Sequence, residues 1–152
     1  MLKIMFVCHG NICRSPMAEF LMKDLVRKAS LDKRVHISSS ATSTEEIGNP
    51  VHHGTREKLA SKGISTEGKY AVQFTRKDYD EYDYIIVMDS ANVRNIMRII
   101  GSDTSGKVKM LLEFAGQKRD VLDPWYTGDF DAAYDDIMLG LGALLEEIKT
   151  VI

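Results

Sequence analysis

Short runs of β-forming residues alternate with helically spaced apolar residues along this chain, and that alternation constrains the fold more than any other feature. Ile4 to Val7 is an apolar run suited to a buried strand. After a Gly- and Asn-containing loop, Ser15-Pro16 reads as a cap followed by the first helical position. Met17, Phe20, Leu21 and Leu25 then recur at helical spacing, which predicts a helix to about Lys28. Val35 to Ser39, Tyr84 to Met88 and Val108 to Leu111 are further strand candidates. Gly48-Asn49-Pro50 marks a turn, and a polar helix is expected to end near Gly63. Asp89 or Ser90 can cap a helix carrying Val93, Ile96, Met97 and Ile100. Tyr134, Ile137, Met138, Leu141, Leu145 and Ile148 share one face of a long last helix. Strands alternating with helices imply an α/β fold, with a parallel sheet covered on both faces.

The bulk properties narrow the functional classes. A chain of 152 residues is the size of one domain, with no repeat or interdomain linker. Its formal charge of -2 gives no reason to expect nucleic acid or a membrane surface as partner. No apolar run approaches the roughly 20 residues of a membrane helix, and Met1 to Cys8 lacks a signal-type cleavage region. Two cysteines are too few for a disulfide scaffold, so a cytoplasmic location is expected.

The segment Cys8-His9-Gly10-Asn11-Ile12-Cys13-Arg14-Ser15 leaves the carboxyl end of the first predicted strand and feeds a helix, where open α/β sheets place their ligands. Successive backbone N–H groups in such a loop form a concave anion nest, and the helix start adds partial positive charge. Gly10 and Asn11 tolerate the positive φ values that tight wrapping demands. Arg14 can grip two phosphate oxygens at once. The field that binds phosphate also favours a thiolate at Cys8. A loop free of this chemistry would read as a buried structural Cys8 and a surface Arg14. Gly, Asn, Arg, Ser and Pro in this order argue against that reading.

A second candidate is Asp123, in Asp123-Pro124-Trp125-Tyr126-Thr127-Gly128. A phenolic ester leaves as a phenoxide unless an acid protonates it, and such help is worth about 10²–10⁴-fold. Pro124 restricts the backbone of Asp123, and Trp125 and Tyr126 can wall a phenyl ring. From spacing alone, a helix-leading turn with surface aromatics remains the alternative.

The segment from Cys8 to Pro16 resembles the signature of the low-molecular-weight protein tyrosine phosphatases, which reads Cys, any residue, then Gly-Asn-Ile-Cys-Arg-Ser-Pro. Similarity extends through Ala41-Thr42-Ser43, Glu46-Ile47-Gly48-Asn49-Pro50, Met88-Asp89 and Asp123-Pro124-Trp125-Tyr126. The resemblance implies one α/β domain over residues 1–152, a three-layer sandwich around a four-stranded parallel sheet. It implies Cys8 as nucleophile, Arg14 as phosphate ligand and Asp123 as general acid and then base. It makes His9, Gly10, Asn11, Ile12, Cys13 and Ser15 the phosphate-side contacts, Trp125 and Tyr126 the ring-side ones, and Ser39 a loop support. Phosphotyrosine in proteins is the implied substrate, with no metal or organic cofactor and a monomeric enzyme.

Cys13 reads either as a small packing residue or as a resolving thiol that captures oxidised Cys8, a pairing for which the family is known. Ile12 stands where the related arginine phosphatases typically carry Thr, which favours an aromatic ester. Arsenate reductases of this fold relay a disulfide to a third cysteine, and this chain has none. A catalytically silent phosphate-binding module would need neither a thiolate nor Asp123. His52 and His53 lack metal-binding partners at useful spacing and read as surface histidines. The chain departs from the family at Glu45, where relatives place an aromatic wall. It departs again at Lys69, for a His, and at Val72, for an Arg. Glu45 gives the cleft an acidic rim expected to disfavour acidic phosphopeptides.

Overall fold

The computed structural model describes all 152 residues. Four strands form one sheet: β1 (Leu2–Cys8), β2 (Val35–Ala41), β3 (Tyr84–Val87) and β4 (Val108–Met110). Their order is β2-β1-β3-β4, and every neighbouring pair is parallel. Six helices accompany them: α1 (Arg14–Lys28), α2 (His53–Ala60), α3 (Arg76–Glu81), α4 (Ser90–Ile100), α5 (Pro124–Thr127) and α6 (Phe130–Val151). The architecture is the α/β sandwich with a four-stranded parallel sheet expected from the sequence.

Strand alternation divides the core into two layers. Ile4, Phe6 and Cys8 of β1 and Ile86 of β3 face the larger layer, packed by α1, Leu59 of α2, and Ile137, Leu141, Leu144 and Ile148 of α6. Met5 and Val7, with Ile85 and Val87, face the smaller layer with Phe74, Tyr79, Tyr82, Ile96 and Ile100. The period of two that puts neighbouring side chains on opposite faces is the reason both strands read as continuous apolar runs. Gly140 in mid-α6 permits close approach, since a Cβ there would lie 2.5 Å from Leu111 Cγ.

The strand order places the site. From β1 the chain crosses to β2 on one side, whereas from β3 it crosses to β4 on the other. The carboxyl ends of β1 and β3 therefore flank the topological switch point, the usual crevice for ligands in such sheets.

Several boundaries differ from expectation. Helix α1 begins at Arg14, with Cys13 in the capping position and no side-chain cap. Ser15 is thus inside the first turn rather than the cap, because its hydroxyl is used by the loop before it. Pro16 still costs no hydrogen bond there, since first-turn N–H groups have no intrahelical partner. Helix α3 is absent from the sequence reading, because six residues with only Tyr79 buried carry no periodicity. Its signature is the capping box of Thr75 and Asp78. No helix is long and apolar enough to cross a membrane.

Candidate active site

The loop between β1 and α1 folds around the sulfur of Cys8. Four of its carbonyls are drawn outward. Those of Cys8 and His9 accept from the N–H groups of Thr42 and Ser43 at 2.9 and 3.1 Å, and that of Ile12 from His52 at 2.9 Å. The Cys13 carbonyl accepts from the buried Thr55 hydroxyl at 3.1 Å. With the carbonyls committed outside, the amides turn inward. The Asn11 and Ser15 N–H groups point at Cys8 Sγ from 3.3 and 3.4 Å. The amides of His9, Gly10, Ile12, Cys13 and Arg14 have no partner within the protein. Asn11 supplies the required left-handed bend at φ 59°.

A buried hydrogen-bond network lies beneath Cys8. Asn11 Nδ2 donates to Ser15 Oγ at 2.7 Å and to Ser39 Oγ at 2.9 Å, while Asn11 Oδ1 accepts from the Val72 N–H at 3.2 Å. Ser39 donates in turn to Glu19 at 2.5 Å. A carboxylate only accepts, so Glu19 orients the Ser39 hydroxyl, while the Asn11 amide nitrogen donates to both serines and leaves the Ser15 proton to Cys8 Sγ at 3.0 Å or the Ser40 carbonyl at 3.4 Å. Glu19 is 5% exposed and also pairs with Lys23 at 2.5 Å and Lys69 at 3.6 Å. Lys69 Nζ donates to the Ser39 carbonyl at 2.8 Å. Burial lowers the Lys69 pKa from its ordinary value, with Glu19 acting against that shift.

Arg14 is 2% exposed and carries the other half of the site. Its Nη1 donates to Asp89 Oδ2 at 2.7 Å and to the Val121 carbonyl at 2.8 Å. Nη2 reaches Asp123 Oδ2 at 3.3 Å. Burial works against its charge, yet Cys8, Asp123 and Asp89 outweigh it and hold the guanidinium above its ordinary pKa. Asp89 serves twice, because its other oxygen caps α4 through the Asn92 N–H at 2.7 Å. The carboxyl ends of β1 and β3 are tied together across the switch point by this pair.

Asp123 lies at the same cleft and caps the short α5, accepting from the Trp125 N–H at 3.1 Å. Trp125 and Tyr126 are exposed on the rim, at 56% and 82%. The cleft, of about 110 Å³, is lined by Cys8, His9, Gly10, Ile12, Cys13 and Arg14 on the loop side. Glu45, Glu46, Asp123, Trp125 and Tyr126 line the other. His9 Nε2 stands 2.7 Å from Glu45 Oε2, so the one departure from an aromatic wall pairs with the residue at the signature's variable position.

The match to protein-family models is decisive. Residues 3–151 fit the model of the low molecular weight phosphotyrosine protein phosphatases. The chain belongs to this family. It is 40% identical over 151 residues to the low molecular weight protein-tyrosine-phosphatase YfkJ of Bacillus subtilis, covering 98% of this chain and 97% of the relative. The crystal structure of YfkJ superposes with a TM-score of 0.95 at 39% identity, over 99% of this chain and 96% of the other. A low molecular weight protein tyrosine phosphatase of Streptococcus pyogenes gives 0.87 at 41% identity, with 97% and 93% covered. A Drosophila arginine phosphatase is also similar, at 0.89 and 28% identity, with 97% and 98% covered.

Of the residues singled out in the sequence, Cys8, His9, Gly10, Ile12, Cys13, Arg14, Asp123, Trp125 and Tyr126 line this cleft, Asn11 and Ser15 lie directly beneath it, and Ser39 and Lys69 lie in the layer below. Val72 contributes its backbone N–H to Asn11 instead of a charged side chain. Two partners escaped the sequence reading. Asp89 stood in the sequence as a cap and in the family-like Met88-Asp89 pair, but its contact with Arg14 was not foreseen, because it spans 75 residues. Glu19 had a signal: it sits with Ser15, Ala18, Met22 and Val26 on the buried stripe of α1, where an unpaired charge is costly. No group of three or more His, Cys, Asp or Glu side chains is arranged to hold a metal, and His52 and His53 stack on each other.

Proposed function

We propose that this single phosphatase domain hydrolyses phosphotyrosine in proteins, and small aryl phosphates, through a phosphocysteine intermediate on Cys8. The observation that carries the reading is the ring of unpartnered amides and the buried Arg14 around one sulfur that already accepts from Ser15 and Asn11. Arg14 Nη1 is committed twice, which fixes the plane of the guanidinium. Its longer Nη2 contact to Asp123 is the one a phosphate oxygen can replace.

In the first step Cys8 Sγ attacks phosphorus and the P–O bond to the phenol breaks. Asp123 gives its proton to the departing oxygen. In the second step Asp123 takes a proton from water as the water oxygen attacks phosphorus, the S–P bond breaks and inorganic phosphate leaves. Complete ionisation of a thiol gains only about 30-fold over its neutral-pH level, near 2 kcal/mol. Phosphate monoester hydrolysis calls for up to about 10²¹-fold. Most of the acceleration therefore falls to charge stabilisation by the amide ring and Arg14.

Ile12 favours the aromatic ester over phosphoarginine. It packs with Cys13, Ala71 and Phe130 and offers no hydroxyl to assist a different intermediate geometry. The two-cysteine content disfavours an intramolecular reductase relay. Low cysteine content agrees with action in the cytoplasm, and modest charge with phosphoproteins rather than nucleic acid or a membrane as partners.

The test compares phosphotyrosine, phosphoarginine and phosphoserine peptides, and p-nitrophenyl phosphate with chelator present. Phosphotyrosine is expected to be preferred, and Cys8→Ser to abolish turnover, by on the order of 10⁴-fold or more, while still binding phosphate. A preference for phosphoarginine, or wild-type rates in Cys8→Ser, would overturn the assignment.

A further inference from the structure

His52 has no role in the chemistry above, yet it contacts two segments that line the cleft, the phosphate loop and α5, together with the starts of α2 and α6. Its backbone N–H donates to the Ile12 carbonyl at 2.9 Å, behind the phosphate loop. Its Nδ1 accepts from the Gly54 N–H at 3.0 Å and so caps α2. The imidazole stacks on Phe130, the first residue of α6, with centroids 5.2 Å apart and planes at 15°. Its edge contact with Trp125 has centroids 5.5 Å apart and planes at 77°. Gly54 makes the stack possible, because a Cβ there would lie 2.4 Å from the Phe130 ring.

Trp125 has little else to hold it. It is 56% exposed, and α5 is only four residues long, too short to be stable on its own. Asp123, which caps α5 through the Trp125 N–H, takes its pose from the same turn. Burial first, and then the neighbouring His53 and Arg56 charges, hold the His52 ring below its ordinary pKa. At neutral pH Nδ1 is therefore the acceptor that the Gly54 contact needs.

We propose that His52 is a positioning residue for the acid loop: braced by Phe130 and the Gly54 amide, its ring fixes Trp125 and through it the pose of Asp123. The inference rests on the assignment of Asp123 as general acid. Because the ring and the cap are separable, two variants isolate the cause. His52→Asn keeps a capping acceptor but removes the ring, whereas His52→Phe keeps a ring and removes the cap.

The experiment measures kcat/KM for phenyl phosphate, whose leaving group needs an acid, and for p-nitrophenyl phosphate, whose leaving group needs it far less. Acrylamide quenching of Trp125, the single tryptophan, is read alongside. His52→Asn is expected to lose roughly three- to tenfold on phenyl phosphate, the equivalent of one aromatic pair, with little change on the nitrophenyl ester. Its Trp125 becomes more accessible to quencher, and His52→Phe restores both readouts. Equal losses on both esters, no loss, or unchanged quenching in His52→Asn would overturn the proposal while Asp123→Asn still discriminates the esters. If Asp123→Asn itself slows both esters equally, the acid assignment fails and the positioning role fails with it.

Discussion

Residues 8–15 and residues 123–128 face each other across one cleft but are held in opposite ways. On the phosphate side Asn11, Arg14 and Ser15 are 1%, 2% and 0% exposed, and each of their side chains has a named partner. On the Asp123 side Trp125 and Tyr126 are 56% and 82% exposed, and the turn is held by the Asp123 cap, its longer contact to Arg14 and one ring contact of Trp125 with His52. A phosphate group is the same in every substrate, so its binding site can be desolvated and fixed, which strengthens every dipole aimed at it. The leaving group differs between substrates, so its side of the cleft stays open. Changes on the buried side should therefore cost activity and stability together, and changes on the open side should move selectivity alone.

The largest effect is expected where the two sides meet. Arg14→Lys replaces a fork held by Asp89, Val121 and Asp123 with a point charge that cannot span them. A fall in kcat/KM of about 10²–10³-fold is expected, the scale for losing a preorganised donor of transition-state charge. The orphaned Asp89 should also lower the urea midpoint, because half of a desolvated pair is left behind. A lysine variant within a few-fold of wild type on p-nitrophenyl phosphate would mean that bidentate geometry is irrelevant here.

Glu19 asks whether the buried side works as one unit. Glu19→Gln removes the charge that pairs with both lysines and deprives the Ser39 hydroxyl of its obligate acceptor, since an amide can donate as well as accept. Stability should drop by roughly 1–3 kcal/mol in urea titration, and kcat/KM by about tenfold. A loss of stability with kcat/KM unchanged would leave Glu19 as packing only.

The same contrast explains what could be read from the sequence. The phosphate loop was legible because its chemistry is local: Cys8, Asn11, Arg14 and Ser15 fall within eight consecutive residues. The acid turn was legible only through the family resemblance, since Asp123-Pro124 by itself is also an ordinary helix start, which it turns out to be as well. Contacts between distant segments carry no such trace. Nothing near Arg14 announces Asp89 or the Val121 carbonyl, whose positions depend on strand order. The helix boundary at Arg14 was misplaced for a related reason: Ser15 looks like a cap, but tertiary partners claim its hydroxyl.

Cys13 sharpens the comparison within the loop itself. Two thiols five residues apart are both buried, but Cys8 lines the unpartnered amides whereas burial, then the charge of Cys8, pushes the Cys13 thiol up to about 12. At neutral pH iodoacetamide should label Cys8 and spare Cys13, read by mass spectrometry. The Cys8–Cys13 disulfide expected after mild peroxide should form faster as pH rises, because the resolving thiol attacks as its anion. The sign for folding is also set. A thiol whose folded pKa lies above its ordinary 9.0 keeps its stabilisation below that pH and loses it as pH climbs towards about 12. Equal labelling of both thiols at pH 7 would break the distinction.

The smallest effect is expected on the open rim, and it isolates charge from structure. Glu45 is 68% exposed on its side chain, and its partner His9 is 44% exposed, so the pair adds little to stability. Glu45→Lys should leave the urea midpoint unchanged. It should raise kcat/KM by roughly two- to fivefold for phosphotyrosine peptides with acidic flanks and lower it similarly for basic ones. High salt should erase most of the difference, because exposed charges are screened within about 10 Å. A change that survives salt, or one that is equal for both peptides, would mean that Glu45 acts by shaping the loop through His9, and the open side would then be as structurally coupled as the buried one.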